Sequence, residues 1–331
     1  MKFNFTVKAV NSPFDDSAFF MRNVYKKRAM LFDCGRLGSL ENSELLDISD
    51  VFVTHTHMDH FSGFDRFLRG CLNSGNTIRF FGPAGFIGNV EGRLTGYNWN
   101  LIRDYDMTIV AVELTPYGNK AVSFSAKQSF IKQDIDAPQG DIDLGDGFTL
   151  KYDFFDHGIT SVGYRVKEPV NISVSKEKLN KNGFVGGPWL KELKDRIKAN
   201  VDKNIKIKAL TLDGEKELSV KELESMFVEY KKPQDVTYMT DIAPTFENYK
   251  KAIKFATESV LLIIEAVFMK SEVMHACIKN HLTIDLAKDI FLKSGTDFVR
   301  FQHFAPRYDR LRDIFFKSLY QGLSGRVYSC K

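Results

Sequence analysis

The residues best suited to chemistry in this 331-residue chain are crowded into Thr54-His55-Thr56-His57-Met58-Asp59-His60, where three imidazoles and one carboxylate fall within six positions. The apolar run Val51-Phe52-Val53 precedes them and Phe61-Ser62-Gly63-Phe64 follows. Successive side chains of a strand point to opposite faces, so a single-face cluster at this spacing requires a turn just beyond a buried strand. A turn held at a strand end is rigid enough to preset metal-ligand geometry.

The same device recurs. Six times an apolar strand is expected to end in an acid or a histidine, at Asp33, His55, His157, Asp241, Glu265 and His303. Ligand sites of α/β proteins lie where strand ends converge, which places these residues on one edge of the core. Of the seven histidines, His55, His57, His60, His157 and His303 sit at strand ends, His281 opens a helix, and His275 has no evident place and reads as an ordinary surface or core residue. Imidazole with carboxylate and without thiolate suits zinc, with manganese or iron as alternatives. Five histidines with Asp59 and Asp241 exceed the needs of one tetrahedral ion, whereas two ions sharing a bridging carboxylate fit the count. Such a pair, roughly 3.5 to 4 Å apart, holds a hydroxide and stabilises both oxygens of a displacement, chemistry suited to hydrolysis of a phosphodiester.

The elements that must position these residues are legible as alternating strands and helices, an α/β (α+β) pattern. Strands joined by a turn at Asn11-Ser12-Pro13 are expected over residues 1 to 33, a helix over Phe64 to Leu72, a strand over Thr77 to Phe81 and a helix from Ala84 to about Leu94. Residues 96 to 145 carry mixed strand signals, clearest at Met107 to Leu114, with a turn-rich stretch around Gln133 to Asp146. Further strands are expected at Phe148 to Phe155, Val162 to Val166, Asp235 to Thr240, Val260 to Ile264, whose unbroken apolar run marks burial on both faces, and Asp297 to Gln302. A helix from about Thr283 to Leu292 follows His281. No internal repeat or low-complexity segment interrupts the pattern.

Composition bounds the class. With 44% hydrophobic and 13% aromatic residues the chain has material for a large core, and its 29 phenylalanines against 12 tyrosines assign most aromatic mass to packing. No apolar run reaches bilayer length, and Met1 to Val7 reads as a strand rather than a signal peptide, so a cytoplasmic protein is expected. Cys34, Cys71, Cys277 and Cys330 lack paired spacing and fit reduced thiols. The formal charge of +4 is uneven. Between Arg165 and Lys208 twelve Lys/Arg face five Asp/Glu, a local +7, which interrupts the strand pattern as an inserted basic arm at about 165–232, with a short helix at Trp189 to Lys198 begun by Pro188. A basic segment beside a candidate metal site points to an anionic polymer as partner.

His55-Thr-His57-Met-Asp59-His60 resembles the His-x-His-x-Asp-His signature of the metallo-β-lactamase fold, with Asp33, His157, Asp241 and His303 following as its other motif positions. The resemblance implies a single four-layer αββα sandwich spanning 1–331, two Zn2+ per chain (Mn2+ or Fe2+ as alternatives), His55, His57 and His157 on one zinc, Asp59, His60 and His303 on the other, Asp241 as bridge, and Asp33 ordering the site through hydrogen bonds. Within that superfamily the chain is most similar to ribonuclease Z, the endonuclease that trims tRNA 3′ trailers. Gly163-Tyr164-Arg165 after His157, the segment from Gly183 through Gly187, Pro188, Lys191 and Lys194 that resembles a tRNA-gripping arm, and Glu265-Ala266 paired with His281-Leu282-Thr283 carry this similarity. It implies that His281 protonates the leaving 3′ oxygen, that Glu265 orients His281, and that the enzyme is a homodimer acting on precursor tRNA, with Asp59 also helping to deprotonate the attacking water. Ile264 stands where the family usually has histidine and Leu282 where it usually has serine, and residues 84–145 do not align. A hydrolase of the same fold acting on a small phosphodiester, cyclic nucleotide or sulfate ester is the alternative, and a nucleic-acid binding module with a degenerate site is a third reading.

Overall fold

Neighbouring residues on the central strands face opposite cores. Leu31, Val51, Val53 and Phe80 pack among helices, while Phe32, Phe52 and Phe81, one position along, pack against a second sheet. This period of two is what a sheet buried on both faces requires. The structure, a computed structural model, describes residues 3–24 and 28–328; Met1, Lys2 and Cys330 lie outside the described residues.

Eight strands form the first sheet in chain order: β1 (Phe5–Ala9), β2 (Phe19–Asn23), β3 (Ala29–Phe32), β4 (Ile48–Phe52), β5 (Thr77–Gly82), β6 (Thr108–Glu113), β7 (Lys120–Ser125) and β8 (Lys132–Ile135). β3 to β6 run parallel. The chain continues through β9 (Ile142–Gly145), β10 (Phe148–Asp156) and β11 (Thr160–Lys167), then enters an inserted unit, residues 168–233, that holds β12 (Asn171–Val174), β13 (Lys206–Thr211), β14 (Gly214–Ser219) and β15 (Val228–Lys231). It returns with β16 (Asp235–Met239), β17 (Leu261–Glu265) and β18 (Phe298–Gln302). The second sheet has the order β18-β17-β16-β11-β10-β9.

Three cores define the four layers of the main unit. One lies between the first sheet and the helices Phe64–Cys71 and Phe86–Thr95, one between the two sheets around Phe32, Phe52, Tyr164 and Tyr238, and one between the second sheet and the helices Phe246–Ala256, Ile284–Ser294 and Arg312–Tyr320. The αββα sandwich expected from the sequence is the architecture observed. Among the described residues no helix is long and apolar enough to cross a membrane.

Three expectations change. The stretch from Gln133 to Asp146 contains the end of β8 and all of β9; β8 is an edge strand with all four residues exposed, so it lacks the apolar alternation that marks a strand. The histidine motif is more than a turn, since Met58–Phe61 winds into one helical turn entered at His57. The inserted unit has a core of its own, in which Leu179, Phe184, Trp189, Leu193, Ile207, Leu223 and Phe227 are buried. Its core residues come from several short elements, so no single window of sequence shows their period.

A buried ion pair ties β9 to the first sheet. Asp50, fully buried on β4, takes Arg28 Nη2 at 2.7 Å and Arg79 Nε at 2.6 Å, and these arginines reach the carbonyls of Gly145 at 3.0 Å and Leu144 at 2.8 Å. Removing one partner strands the other charges away from water. Asp50→Ala is expected to cost about 3 kcal/mol, read as a lower urea midpoint at unchanged m-value.

Candidate metal centre

Strand direction brings the site together. β3 and β4 are parallel, and β10 runs with β16, β17 and β18 because β11 is antiparallel to both β10 and β16. Residues that follow the carboxyl ends therefore share one edge: Asp33 and the 55–60 segment from the first sheet, His157, Asp241 and His303 from the second, with Glu265 as the last residue of β17. Asp33, Asp241 and His303 adopt φ of 55°, 56° and 55°, the left-handed region that costs a non-glycine residue of order 1 kcal/mol. The chain accepts that strain at three strand ends where it turns each side chain toward a common point.

The donors meet as the sequence led one to expect. Ligand-capable atoms lie within 4.8 Å of one another in the sets His55, His57, His157; Asp59, His60, His303; and His55, His60, Asp241. Asp241 sits between them, its carboxylate 3.1 Å from His60 Nε2, 3.3 Å from His303 Nε2 and 3.4 Å from His157 Nε2. A further set, Asp241, Glu265, His281 and His303, meets the same limit.

These residues fit metal ions by the state of their nitrogens. Nδ1 of His60 is held by Asp33 at 2.7 Å, of His157 by the Asn280 carbonyl at 2.8 Å, of His55 by Thr54 Oγ1 at 3.1 Å and of His303 by Ser17 Oγ at 3.2 Å. Such outer contacts fix ring orientation and leave Nε2 as the inward atom. Nε2 of His55 and of His60 is buried without a hydrogen-bond partner; His60 approaches Asp241 closely but outside hydrogen-bond geometry. Buried unpartnered nitrogens amid carboxylates are what a cation would satisfy.

The charges of these groups act on one another. Burial, with His60 beside it, pushes His55 down to about 2, and burial with His157 lowers His57. Burial also opposes the charge on His60, yet Asp241 and Asp33 overturn it and hold the imidazole well above its ordinary value. Asp59 and Asp241 are likewise buried against ionisation, and the neighbouring His60 and His303 hold both well below the usual carboxylate range.

Asp33 is the hub of the second layer. Fully buried, it accepts from Thr54 N at 2.7 Å, Thr54 Oγ1 at 3.0 Å and Tyr238 Oη at 2.6 Å, besides holding His60. Thr54, Tyr238, Ser17 and Asn280 were not foreseen from the sequence. Thr54 had a signal, as the neighbour of the motif; the others join it only through the fold. Asp33→Asn exchanges one acceptor oxygen for a donor facing Tyr238 or His60. It is expected to cost about 2 kcal/mol of stability and to lower metal content by about 10- to 100-fold in affinity, read by chelator competition.

Glu265 and His281 pair as expected. Glu265 is fully buried; its Oε2 lies 2.7 Å from His281 Nδ1, and its Oε1 accepts from Ile242 N at 2.9 Å and Leu282 N at 3.2 Å. Burial works to lower the His281 pKa, but the Glu265 charge and hydrogen bond, then Asp241, raise it to about 9. The two departures from the family pattern, Ile264 and Leu282, are core residues and leave this pair intact. Gly163-Tyr164-Arg165 has a packing role: a Cβ at Gly163 would stand 2.6 Å from the Phe155 ring, Tyr164 Oη donates to the Val53 carbonyl at 2.6 Å just ahead of the histidine motif, and Arg165 Nε donates to Asp235 at 2.6 Å. Gly187, Pro188, Lys191 and Lys194 lie in the inserted unit, where Pro188 caps the helix Trp189–Lys198, and take no part in these clusters. His275, read as an ordinary residue from the sequence, lines a cavity of about 400 Å³ together with Asp59, His281 and His303.

The layers, with the donor cluster at their edge, are those of the metallo-β-lactamase fold. The solved metallo-β-lactamase fold protein YhfI from Bacillus subtilis is similar at a TM-score of 0.54, with 14% identity over 98% of this chain and 95% of that one. Curated relatives narrow the resemblance to ribonuclease Z. Ribonuclease Z of Pyrococcus furiosus is 28% identical over 290 residues, 84% of this chain and 78% of the relative, and ribonuclease Z of Gloeothece citriformis is 24% identical over 300 residues, 88% and 80%. No family model matches the chain.

Proposed function

We propose that the chain is a dinuclear zinc phosphodiesterase that cuts the 3′ trailer from precursor tRNA. The observation that carries this reading is the junction of two donor triads with a buried glutamate–histidine pair, in a chain whose curated relatives are named ribonuclease Z. His55, His57 and His157 would hold one zinc, Asp59, His60 and His303 the other, and Asp241 both. When bound, such a pair activates water near neutral pH and stabilises charge on the attacking and leaving oxygens of an in-line displacement.

The protein's own groups manage protons and position. Asp59, whose carboxylate lies beside His60 and His303, accepts a proton from the attacking water as its oxygen bonds to phosphorus. His281, held protonated by Glu265, gives its proton to the O3′ that departs as the P–O3′ bond breaks. The products are a tRNA ending in a 3′-hydroxyl and a trailer beginning with a 5′-phosphate. Asp33 keeps His60 aimed, and the inserted unit binds the RNA through Gly187, Pro188, Lys191 and Lys194, the two lysines being neighbours at one helical turn.

A 3′-extended tRNA incubated with the zinc-loaded protein is expected to yield one cut near the acceptor end. Precursor left intact by fully metallated protein that still hydrolyses a chromogenic diester would move the substrate to the small-diester class.

A further inference from the structure

The cavity that adjoins the cluster has a wall that the proposed chemistry does not use. Ring centroids step outward from the donors at 5.1 Å from His60 to His303, 5.5 Å to His281, 6.0 Å to Phe268 and 4.9 Å to His275, a continuous aromatic row. His275 and Lys279 lie on the helix Val273–Lys279, and both line the cavity, as residues four apart on one helix face can. Asp15 and Asp16 also line it. The Arg36 guanidinium pairs with Asp15, while Asp16 accepts from the Arg36 backbone N–H at 3.2 Å and from Ser62 Oγ at 2.9 Å. Lys279 is exposed and pairs with no carboxylate among the described residues, and the half-buried ring of His275 has no hydrogen-bond partner among them. A cavity of about 400 Å³ falls in the range of small-ligand sites.

We infer that this cavity, walled by Phe268, His275 and Lys279, is a subsite for the nucleotide on the 5′ side of the cut bond, with its base on the aromatic row and its 5′-phosphate at Lys279. The inference rests on the proposed phosphodiesterase reading and deepens it. His281 stands in the row between the donor histidines and Phe268, so the group whose O3′ takes its proton must occupy the space that opens beside it. A nucleoside is planar at its base, which aromatic side chains stack at about 1–3 kcal/mol per base. Its 5′-phosphate lies on the far side of the sugar from O3′ and meets a cation there. The subsite therefore recognises a 5′-phosphorylated nucleoside with a free 3′-hydroxyl, the terminal residue of the RNA product.

Equilibrium binding of adenosine 5′-monophosphate and of adenosine to the zinc-loaded full chain tests this. Lys279→Ala, at an exposed position that does not threaten folding, is expected to weaken the monophosphate about tenfold and to leave adenosine within about twofold. His275→Ala is expected to weaken both ligands alike. Equal monophosphate affinity in wild type and Lys279→Ala would place the phosphate elsewhere, on the metals for instance, and overturns the subsite. The outcome is separable from the substrate reading: a protein that leaves precursor tRNA intact but loses monophosphate affinity on Lys279→Ala keeps the subsite and loses the tRNA assignment, whereas one that cuts the precursor and ignores the substitution does the reverse.

Discussion

His281→Ala is expected to lower kcat on precursor RNA by about 10²- to 10⁴-fold while lowering hydrolysis of bis(p-nitrophenyl) phosphate far less. The difference comes from the leaving groups. A ribose O3′ departs as a strongly basic alkoxide unless it is protonated in the transition state, whereas p-nitrophenolate is stable without a proton. Geometry supports the donor role: His281 Nδ1 is engaged by a buried carboxylate at 2.7 Å, which leaves Nε2 as the atom that can reach substrate. The sign of the pH dependence follows. An imidazole raised to about 9 is protonated through neutral pH, so activity on RNA is lost as pH rises through that value. Glu265→Gln removes the main charge that raises it and is expected to move the alkaline limb toward acid by about one unit, or about 1.4 kcal/mol. Equal losses on both substrates would instead mark His281 as a metal ligand, a role its place in the set with Asp241, Glu265 and His303 makes concrete.

How much of this was legible in sequence depended on whether the information was local. His55, His57, Asp59 and His60 stand in one short segment, and Asp33, His157, Asp241 and His303 each follow an apolar run that marks a strand end, so both their types and their approximate place could be read. Tyr238 could not. Its hydroxyl reaches Asp33 across the gap between the sheets, 205 positions away in the chain, and an interior tyrosine on a buried strand looks like packing until its partner is known. The place of His275 is not legible for a similar reason: it sits on a short helix with exposed Val273, Met274 and Ile278, so no apolar period shows which way it faces. β8 was lost because an edge strand with four exposed residues has no buried face to impose alternation. The inserted unit was legible as a charge excess but not as a fold, since its core is assembled from residues far apart in sequence.

Replacing residues 168–232 with Asn-Gly, which with Pro233 and Gln234 makes a four-residue loop, is expected to abolish cleavage of precursor tRNA and to spare a small chromogenic diester. The main unit is expected to tolerate the excision because the insertion leaves and rejoins at one place: β11 and β16 are antiparallel neighbours with Lys167 opposite Asp235, so a short loop can join them. The core of the inserted unit is its own, and none of the metal-donor sets or the Glu265–His281 pair includes its residues, so the chemistry on a substrate that needs no grip should persist. What is lost is charge. Lys191, Lys194 and Lys198 recur on one face of the helix Trp189–Lys198, and each phosphate contact that they make adds about 0.7 to 0.9 to the slope of log affinity against log salt. Wild-type kcat/KM on precursor tRNA should therefore fall steeply with salt. Lys191→Ala with Lys194→Ala should flatten that slope by about 1.4 to 1.8 without altering turnover of the chromogenic ester. A deletion variant that still cuts tRNA with the wild-type salt slope would place the RNA grip on the main unit, and the basic segment would then be a solvated face and no more.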